Sequence, residues 1–135
     1  MRIAVIDGQG GGIGKAIVEK IRNEFGDAVE IIALGTNALA TSAMLKNGAD
    51  EGATGENAIV FNADKVDIIT GAIGIIAANA MLGELTPAMA RAIGESPAKK
   101  VLIPMNRCNI QIAGVTGTTL LQYIEDAVQL IRERL

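Results

Sequence analysis

The residues best suited to chemistry in this chain form a glycine-rich segment, residues 8–14, with the sequence GQGGGIG. An apolar, strand-like run precedes it and a helix-like pattern follows. Glycine lets a backbone turn sharply and approach a ligand closely, and the N–H groups and dipole at a helix start favour an anion. The segment therefore predicts a loop for the phosphates of a nucleotide, with these binding residues: Gly8, Gln9, Gly10, Gly11, Gly12, Ile13, Gly14 and Lys15.

Two common nucleotide-binding motifs do not fit this segment. The dinucleotide fingerprint G-x-G-x-x-G, started at Gly8, requires a glycine where Ile13 stands. The phosphate loop of ATPases requires a serine or threonine after Lys15, and this chain has Ala16. Because that hydroxyl holds Mg²⁺ in such sites, the sequence disfavours ATP hydrolysis.

A third spacing fits better. Gly8, Gly12, Ile13 and Gly14 resemble the G-x-x-x-G-I-G loop of the short-chain dehydrogenase/reductase superfamily. The resemblance implies a cofactor such as NAD, with Gly8 turning the chain off the strand and Gly12 admitting a diphosphate. Gly14 would allow the helix to pack closely on the sheet.

The chain departs from that superfamily in three ways. Asp7 stands where threonine is usual, and a carboxylate repels phosphate unless loop N–H groups bind it. No acidic residue for the adenosine ribose follows the second strand, where only Thr36 and Asn37 offer hydrogen bonds. No cation for a 2′-phosphate lies there, which favours NAD over NADP. The catalytic Tyr-x-x-x-Lys is missing, since Ala127 stands four residues after Tyr123.

The elements that must position this loop alternate between strand and helix patterns. Apolar runs predict strands at 2–7, 29–34, 66–70, 100–104 and 110–115, and helices at about 13–25, 37–47, 75–82, 86–94 and 118–135. This order predicts an α/β fold, a three-layer Rossmann-like doubly wound sheet in one domain spanning 1–135. The strands at 100–104 and 110–115 are joined by only five residues, which are too few for the crossover that parallel strands need. The segment 110–115 is therefore expected to be an antiparallel edge strand beside four parallel strands. Residues 49–57 are interpreted as a turn-rich connection, and 58–63 as either helix or strand.

A ligand in such a sheet binds beyond the carboxyl ends of the strands, where the strand order reverses. For the order 3-2-1-4, three segments would converge there: 7–14, 70–74 and 105–109. They add Thr70, Gly71, Asn106 and Arg107 to the predicted binding residues. Arg107 could clamp a phosphate or carboxylate, or the segment could be a solvated hairpin loop.

Composition excludes several functions. The chain of 135 residues has no histidine and one cysteine, Cys108, which leaves no zinc site and no serine–histidine relay. A net charge of −3 without a basic stripe argues against nucleic acid. Glycines interrupt the longest apolar run, 68–83, which argues against a membrane span. We expect a cytoplasmic protein, and a homo-oligomer such as a homodimer because half of the residues are apolar.

Over its whole length the chain resembles a family of small bacterial proteins known only as a domain of unknown function. The resemblance is carried by IDGQGGGIGKAI, DIITGAIGI with LGELTPAMARAIG, and KKVLIPMNRCNIQIAGV. It implies a free-standing cytoplasmic protein and no particular activity. The leading hypothesis is therefore a small nucleotide- or dinucleotide-binding protein. The alternatives are an enzyme on a small phosphorylated or carboxylated substrate, with Asp7 or Cys108 as reactive group, and an adaptor whose glycine loop is purely structural.

Overall fold

A five-stranded parallel sheet forms the centre of the protein, whose computed structural model describes residues 1–105 and 109–135. The strands lie in the order β3-β2-β1-β4-β5, and each neighbouring pair is parallel. Their bounds are β1 Arg2–Asp7, β2 Glu30–Gly35, β3 Glu51–Thr54, β4 Ile68–Ala72 and β5 Lys99–Ile103. This confirms the α/β class.

Within the described ranges, five helices cover the two faces of the sheet. They are α1 Gly12–Phe25, α2 Ala38–Lys46, α3 Glu56–Asn62, α4 Pro87–Glu95 and α5 Leu120–Arg132, with short 3₁₀ turns at Gly26–Ala28 and Ile73–Ile76. Buried residues of α1, α2 and α5 share one apolar cluster, and those of α3 and α4 share the other. Alternate residues of β1 supply both clusters, since Ile3 packs on one side and Ala4 on the other. This arrangement is the predicted three-layer architecture.

Local signals place the helix starts where the sequence predicts them. Thr86 caps α4 by accepting a hydrogen bond from the Met89 N–H at 3.2 Å, and Pro87 takes the first helical position. Asn37 caps α2 by accepting from the Ala40 N–H at 2.8 Å. Such caps satisfy N–H groups that have no partner within the helix. The segment 58–63, left open between helix and strand, lies mostly in α3.

The predicted antiparallel edge strand is wrong. Residues 109–119 form no strand, and the described edge on that side is β5, which runs parallel to β4. Asn109, with φ 55°, and Gly114, with φ 86°, turn the chain out of the extended conformation. The apolar run at 110–115 therefore belongs to the connection between β5 and α5.

The strand order considered from sequence, which put the strand at 66–70 beside β2, is not the observed one, because an additional strand takes that place. Strand β3 lies within the segment interpreted as a turn-rich connection, and it occupies the place beside β2. Its four residues, EGAT, carry no apolar pattern. The strand predicted at 66–70 corresponds to β4 and pairs with β1. The chain therefore reverses its strand order between β1 and β4.

The helix predicted at 75–82 is likewise wrong. The 3₁₀ turn Ile73–Ile76 leads into turns in which Asn79, Met81 and Leu82 have φ values of 67°, 60° and 57°. These left-handed conformations are incompatible with a right-handed helix. Across the described ranges, no helix is both long and apolar enough to span a membrane.

Candidate functional site

The glycine loop, residues 8–14, connects the carboxyl end of β1 to the start of α1. It lies at the point where the strand order reverses, since β2 and β3 continue on one side of β1 and β4 and β5 on the other. Open α/β sheets bind ligands in the crevice at this point. The fold thus places the predicted loop at the expected edge of the sheet.

A cavity of about 720 Å³ adjoins the glycine loop. Asp7 and residues 8–13 form one wall, and Ala72 and Gly74 follow from the end of β4. The remaining lining is apolar and consists of Met81, Leu82, Met105 and Leu120. A volume of this size accommodates a small molecule. The cavity combines a backbone-rich wall with an apolar one.

Asp7 fixes the shape of the loop by hydrogen bonds to its backbone. The residue is 6% exposed, and its carboxylate accepts hydrogen bonds from the Gly8 N–H at 2.8 Å and the Gly14 N–H at 2.6 Å. A carboxylate beside a phosphate is expected to be bound by N–H groups of the loop, and Asp7 is bound in this way. Two of the loop's N–H groups therefore hold the loop itself together.

Three other N–H groups of the loop are available for hydrogen bonds within the described part of the chain. Within residues 1–105 and 109–135, no acceptor binds the N–H groups of Gly10, Gly12 or Ile13. All three residues line the cavity. They stand at or just before the start of α1, where the helix dipole also favours an anion. This end of the cavity can donate several hydrogen bonds to one phosphate.

The fold itself requires three of the five loop glycines. A Cβ on Gly8 would lie 2.5 Å from Thr36 Oγ1, and one on Gly14 would lie 2.7 Å from Asp7 Cβ. Gly11 has φ 76°, and its Cβ would lie 2.8 Å from the Ala40 Cα. Gly14 thus permits the close packing of α1 on the sheet that its spacing suggested.

Gly10 and Gly12 are different from the other loop glycines. Neither has a left-handed φ, and a Cβ on either residue would meet no atom of the described structure within 4 Å. The backbone and packing would therefore tolerate a side chain at both positions. A ligand lying against the loop would not, because a methyl group would occupy its place.

Glu84 is a site residue that sequence reasoning missed. Its Oε1 accepts hydrogen bonds from the Gln9 N–H at 2.9 Å, the Thr36 hydroxyl at 2.8 Å and the Asn37 side-chain amide at 2.8 Å. These bonds, above all the one from Gln9, lower the pKa of Glu84, so the carboxylate is charged near neutral pH. No local signal marks this residue, because its partners lie at least 47 positions away along the chain.

The remaining predicted residues fall into four groups. Thr36 and Asn37, expected to bind a ribose, donate to Glu84 and are absent from the cavity lining. Gly71 is buried in β4, where a Cβ would lie 2.5 Å from the Ile6 carbonyl oxygen, so strand packing explains it. Lys15 is exposed on α1. Asn106, Arg107 and Cys108 lie outside the described residues.

Thr70 has an unusual environment. The residue is fully buried in β4, and its hydroxyl has no hydrogen-bond partner among the residues that the structure describes. An unpaired buried hydroxyl costs about 1–3 kcal/mol. Thr70 pairs in register with Val5, which precedes Asp7 by two positions on the neighbouring strand β1. Thr70 therefore lies in the sheet close to the glycine loop.

Replacing Thr70 with valine is expected to stabilise the free protein by about 1 kcal/mol, because valine has a similar shape and no hydroxyl to desolvate. Urea denaturation of both proteins measures the difference. Thr41→Val is the matched control, since the Thr41 hydroxyl is bonded to Asn37 O and Thr54 Oγ1. It should lose stability. A comparable loss in Thr70→Val would show that the Thr70 hydroxyl has a partner.

The described residues contain no group of three or more His, Cys, Asp or Glu side chains placed to hold a metal ion. A doubly wound parallel sheet with a glycine loop at its switch point defines a Rossmann-like α/β protein. The chain belongs to the family described as Domain of unknown function (DUF3842), whose model matches residues 2–135. This match confirms the full-length resemblance, and it does not confirm the likeness of the loop to the dehydrogenase superfamily.

Comparison with known proteins adds only the fold. No curated protein matches the chain. A structure described as a dodecameric FMN-dependent Ubix-like decarboxylase from Escherichia coli O157:H7 has 15% identity and a TM-score of 0.47, covering 98% of this chain and 76% of its own. The structure of AibC has 15% identity and a TM-score of 0.53 over 98% of this chain. The match spans 39% of AibC.

Proposed function

We propose that this protein binds a nucleotide or nucleotide-derived cofactor, with a phosphate on the N–H groups of Gly10, Gly12 and Ile13. The observation that supports this most strongly is the pair Gly10 and Gly12. Both face the cavity, and neither is required to be glycine by backbone conformation or packing. Close approach of a ligand to the backbone is the remaining physical reason for glycine there.

The two ends of the cavity suit the two parts of such a ligand. The loop offers N–H donors and the positive end of the α1 dipole to a phosphate. Met81, Leu82, Met105 and Leu120 offer apolar contacts to a base or another planar ring. Methionine suits this role because its flexible thioether adapts to aromatic surfaces. NAD, the cofactor expected from the loop spacing, and FMN both combine a phosphate with such a ring.

The geometry gives less support to the two alternatives. As a reactive group, Asp7 would have to act while both of its oxygens accept backbone hydrogen bonds. An adaptor with a purely structural loop would explain Gly8, Gly11 and Gly14, but it would leave Gly10 and Gly12 unexplained. The homo-oligomer and the cytoplasmic location stay predictions of the sequence.

Replacing Gly12 with alanine is expected to weaken nucleotide binding at least tenfold while leaving the fold intact. The added methyl group would occupy the place of the phosphate, and alanine at this helical position would raise stability by up to about 1 kcal/mol. Thermal-shift assays with AMP, ADP, FMN, NAD and coenzyme A at millimolar concentration measure the binding, and urea denaturation measures the stability.

Gly94→Ala is the matched control for this experiment. Gly94 is an exposed helical glycine in α4 whose Cβ would also meet no atom within 4 Å, and it is absent from the cavity lining. This variant should gain similar stability and bind like the wild type. Unchanged binding by Gly12→Ala, or no shift of the wild-type protein by any of the five compounds, would contradict the proposed function.

A further inference from the structure

One side of the glycine loop is covered by a segment that follows β4. This strap, residues 77–85, lies over Gly8 and reaches the end of β2. Met81 Sδ lies 2.6 Å from the position that a Cβ on Gly8 would take. Glu84 then binds Gln9, Thr36 and Asn37 through its Oε1. The strap thus joins the loop to the carboxyl end of β2.

The strap has a defined structure. Its ends are linked by hydrogen bonds from the Asn79 N–H to the Leu85 carbonyl, 2.7 Å, and from the Leu85 N–H to the Ala80 carbonyl, 3.1 Å. Leu85 is fully buried and anchors the segment in the core beneath. Asn79, Met81 and Leu82 hold left-handed conformations that form its turns. The strap therefore has a fixed position beside the glycine loop.

The position of Glu84 determines which way a ligand can extend. In doubly wound sheets, the adenosine ribose of a dinucleotide binds at the end of the second strand, beside the glycine loop. Here Thr36 and Asn37 occupy that position, and Glu84 uses both of their side-chain donors. The cavity instead extends from the loop toward Gly74, Met105 and Leu120. Space for a ligand is therefore found on the β4 side of the loop.

We infer that the site accepts a single nucleotide unit and excludes dinucleotides, with Glu84 as the residue that sets this limit. This inference rests on the proposed phosphate binding at the glycine loop. Glu84 closes the β2 side by filling the place of the adenosine ribose, and its negative charge also repels a second phosphate. The ligand class is thus a mononucleotide or a phosphate ester of similar size with an apolar ring.

Isothermal titration with matched pairs of probes tests this inference. The pairs are AMP with NAD and FMN with FAD, since each dinucleotide contains its partner. The wild type is expected to bind at least one mononucleotide tenfold or more tightly than its dinucleotide. Glu84→Ala should reduce that preference to less than threefold by raising dinucleotide affinity. Glu19→Ala, which removes an equal charge from an exposed position on α1, should keep the wild-type preference.

The outcomes separate this inference from the function on which it rests. Dinucleotides that bind the wild type as tightly as mononucleotides would overturn the inference alone, as would loss of all binding in Glu84→Ala. No binding of any probe to the wild type would overturn the proposed function and this inference together. If Glu84→Ala does not fold, Glu84→Gln weakens the same three hydrogen bonds. It should raise dinucleotide affinity at least twofold, and an unchanged preference would overturn the inference.

Discussion

Replacing Gly14 with alanine is expected to lower the free energy of unfolding by about 3 kcal/mol, because overpacking a tight core contact forces backbone shifts. The new methyl group would lie 2.7 Å from both Asp7 Cβ and Met44 Sδ. Gly14 and Met44 are buried, and the Gly14 N–H also donates to Asp7, so the helix cannot shift without losing that bond. Urea denaturation followed by circular dichroism measures the effect.

Gly12→Ala is the control for this experiment, since it lies two residues away in the same helical turn and meets no atom within 4 Å. The two variants should separate the roles of the loop glycines, with Gly14→Ala losing stability and Gly12→Ala losing ligand. Equal stability of the two variants would show that α1 does not pack against Asp7 as described.

Replacing Asp7 with alanine is expected to lower the free energy of unfolding by about 2–6 kcal/mol, since each of two buried N–H groups left without an acceptor costs about 1–3 kcal/mol. The Gly8 and Gly14 N–H groups would both lose their partner. Asp7→Asn keeps one acceptor oxygen and should lose less stability than Asp7→Ala. Denaturation curves for both variants provide the measurement.

Asp27→Ala is a suitable comparison, because Asp27 is exposed in the 3₁₀ turn that follows α1. It should change stability by no more than about 0.5 kcal/mol. A loss that small in Asp7→Ala would mean that the loop keeps its shape without the carboxylate. The account of Gly8 and Gly14 as N–H donors to Asp7 would then be wrong.

The features that could be predicted from sequence depend on neighbours along the chain. The glycine loop stands between an apolar run and an amphipathic helix, and both elements form where they were expected. Thr86 and Pro87 mark the start of α4 because capping involves residues only three positions apart. The convergence of Ala72, Gly74 and Met105 beside the loop follows from the general geometry of a doubly wound sheet.

The features that could not be predicted depend on contacts between distant segments. Strand β3 is short and lacks an apolar pattern, and its pairing with β2 alone makes it a strand. Glu84 looks like an ordinary surface residue until the strap brings it to Thr36 and Asn37. Thr36 and Asn37 are expected to bind a ribose because they follow β2 directly. The side chain that binds them comes from beyond β4.

The central claim, that a nucleotide phosphate binds the N–H groups of the glycine loop, is tested most directly by amide chemical shifts. A ¹⁵N-labelled sample would be titrated with AMP and with FMN, and the chemical shift of every backbone amide would be followed. The amides of Gly10, Gly12 and Ile13 are expected to shift most, since they have no acceptor among the described residues. The amide of Gly94 should stay unchanged. Shifts centred elsewhere, or none at saturating nucleotide, would contradict this claim.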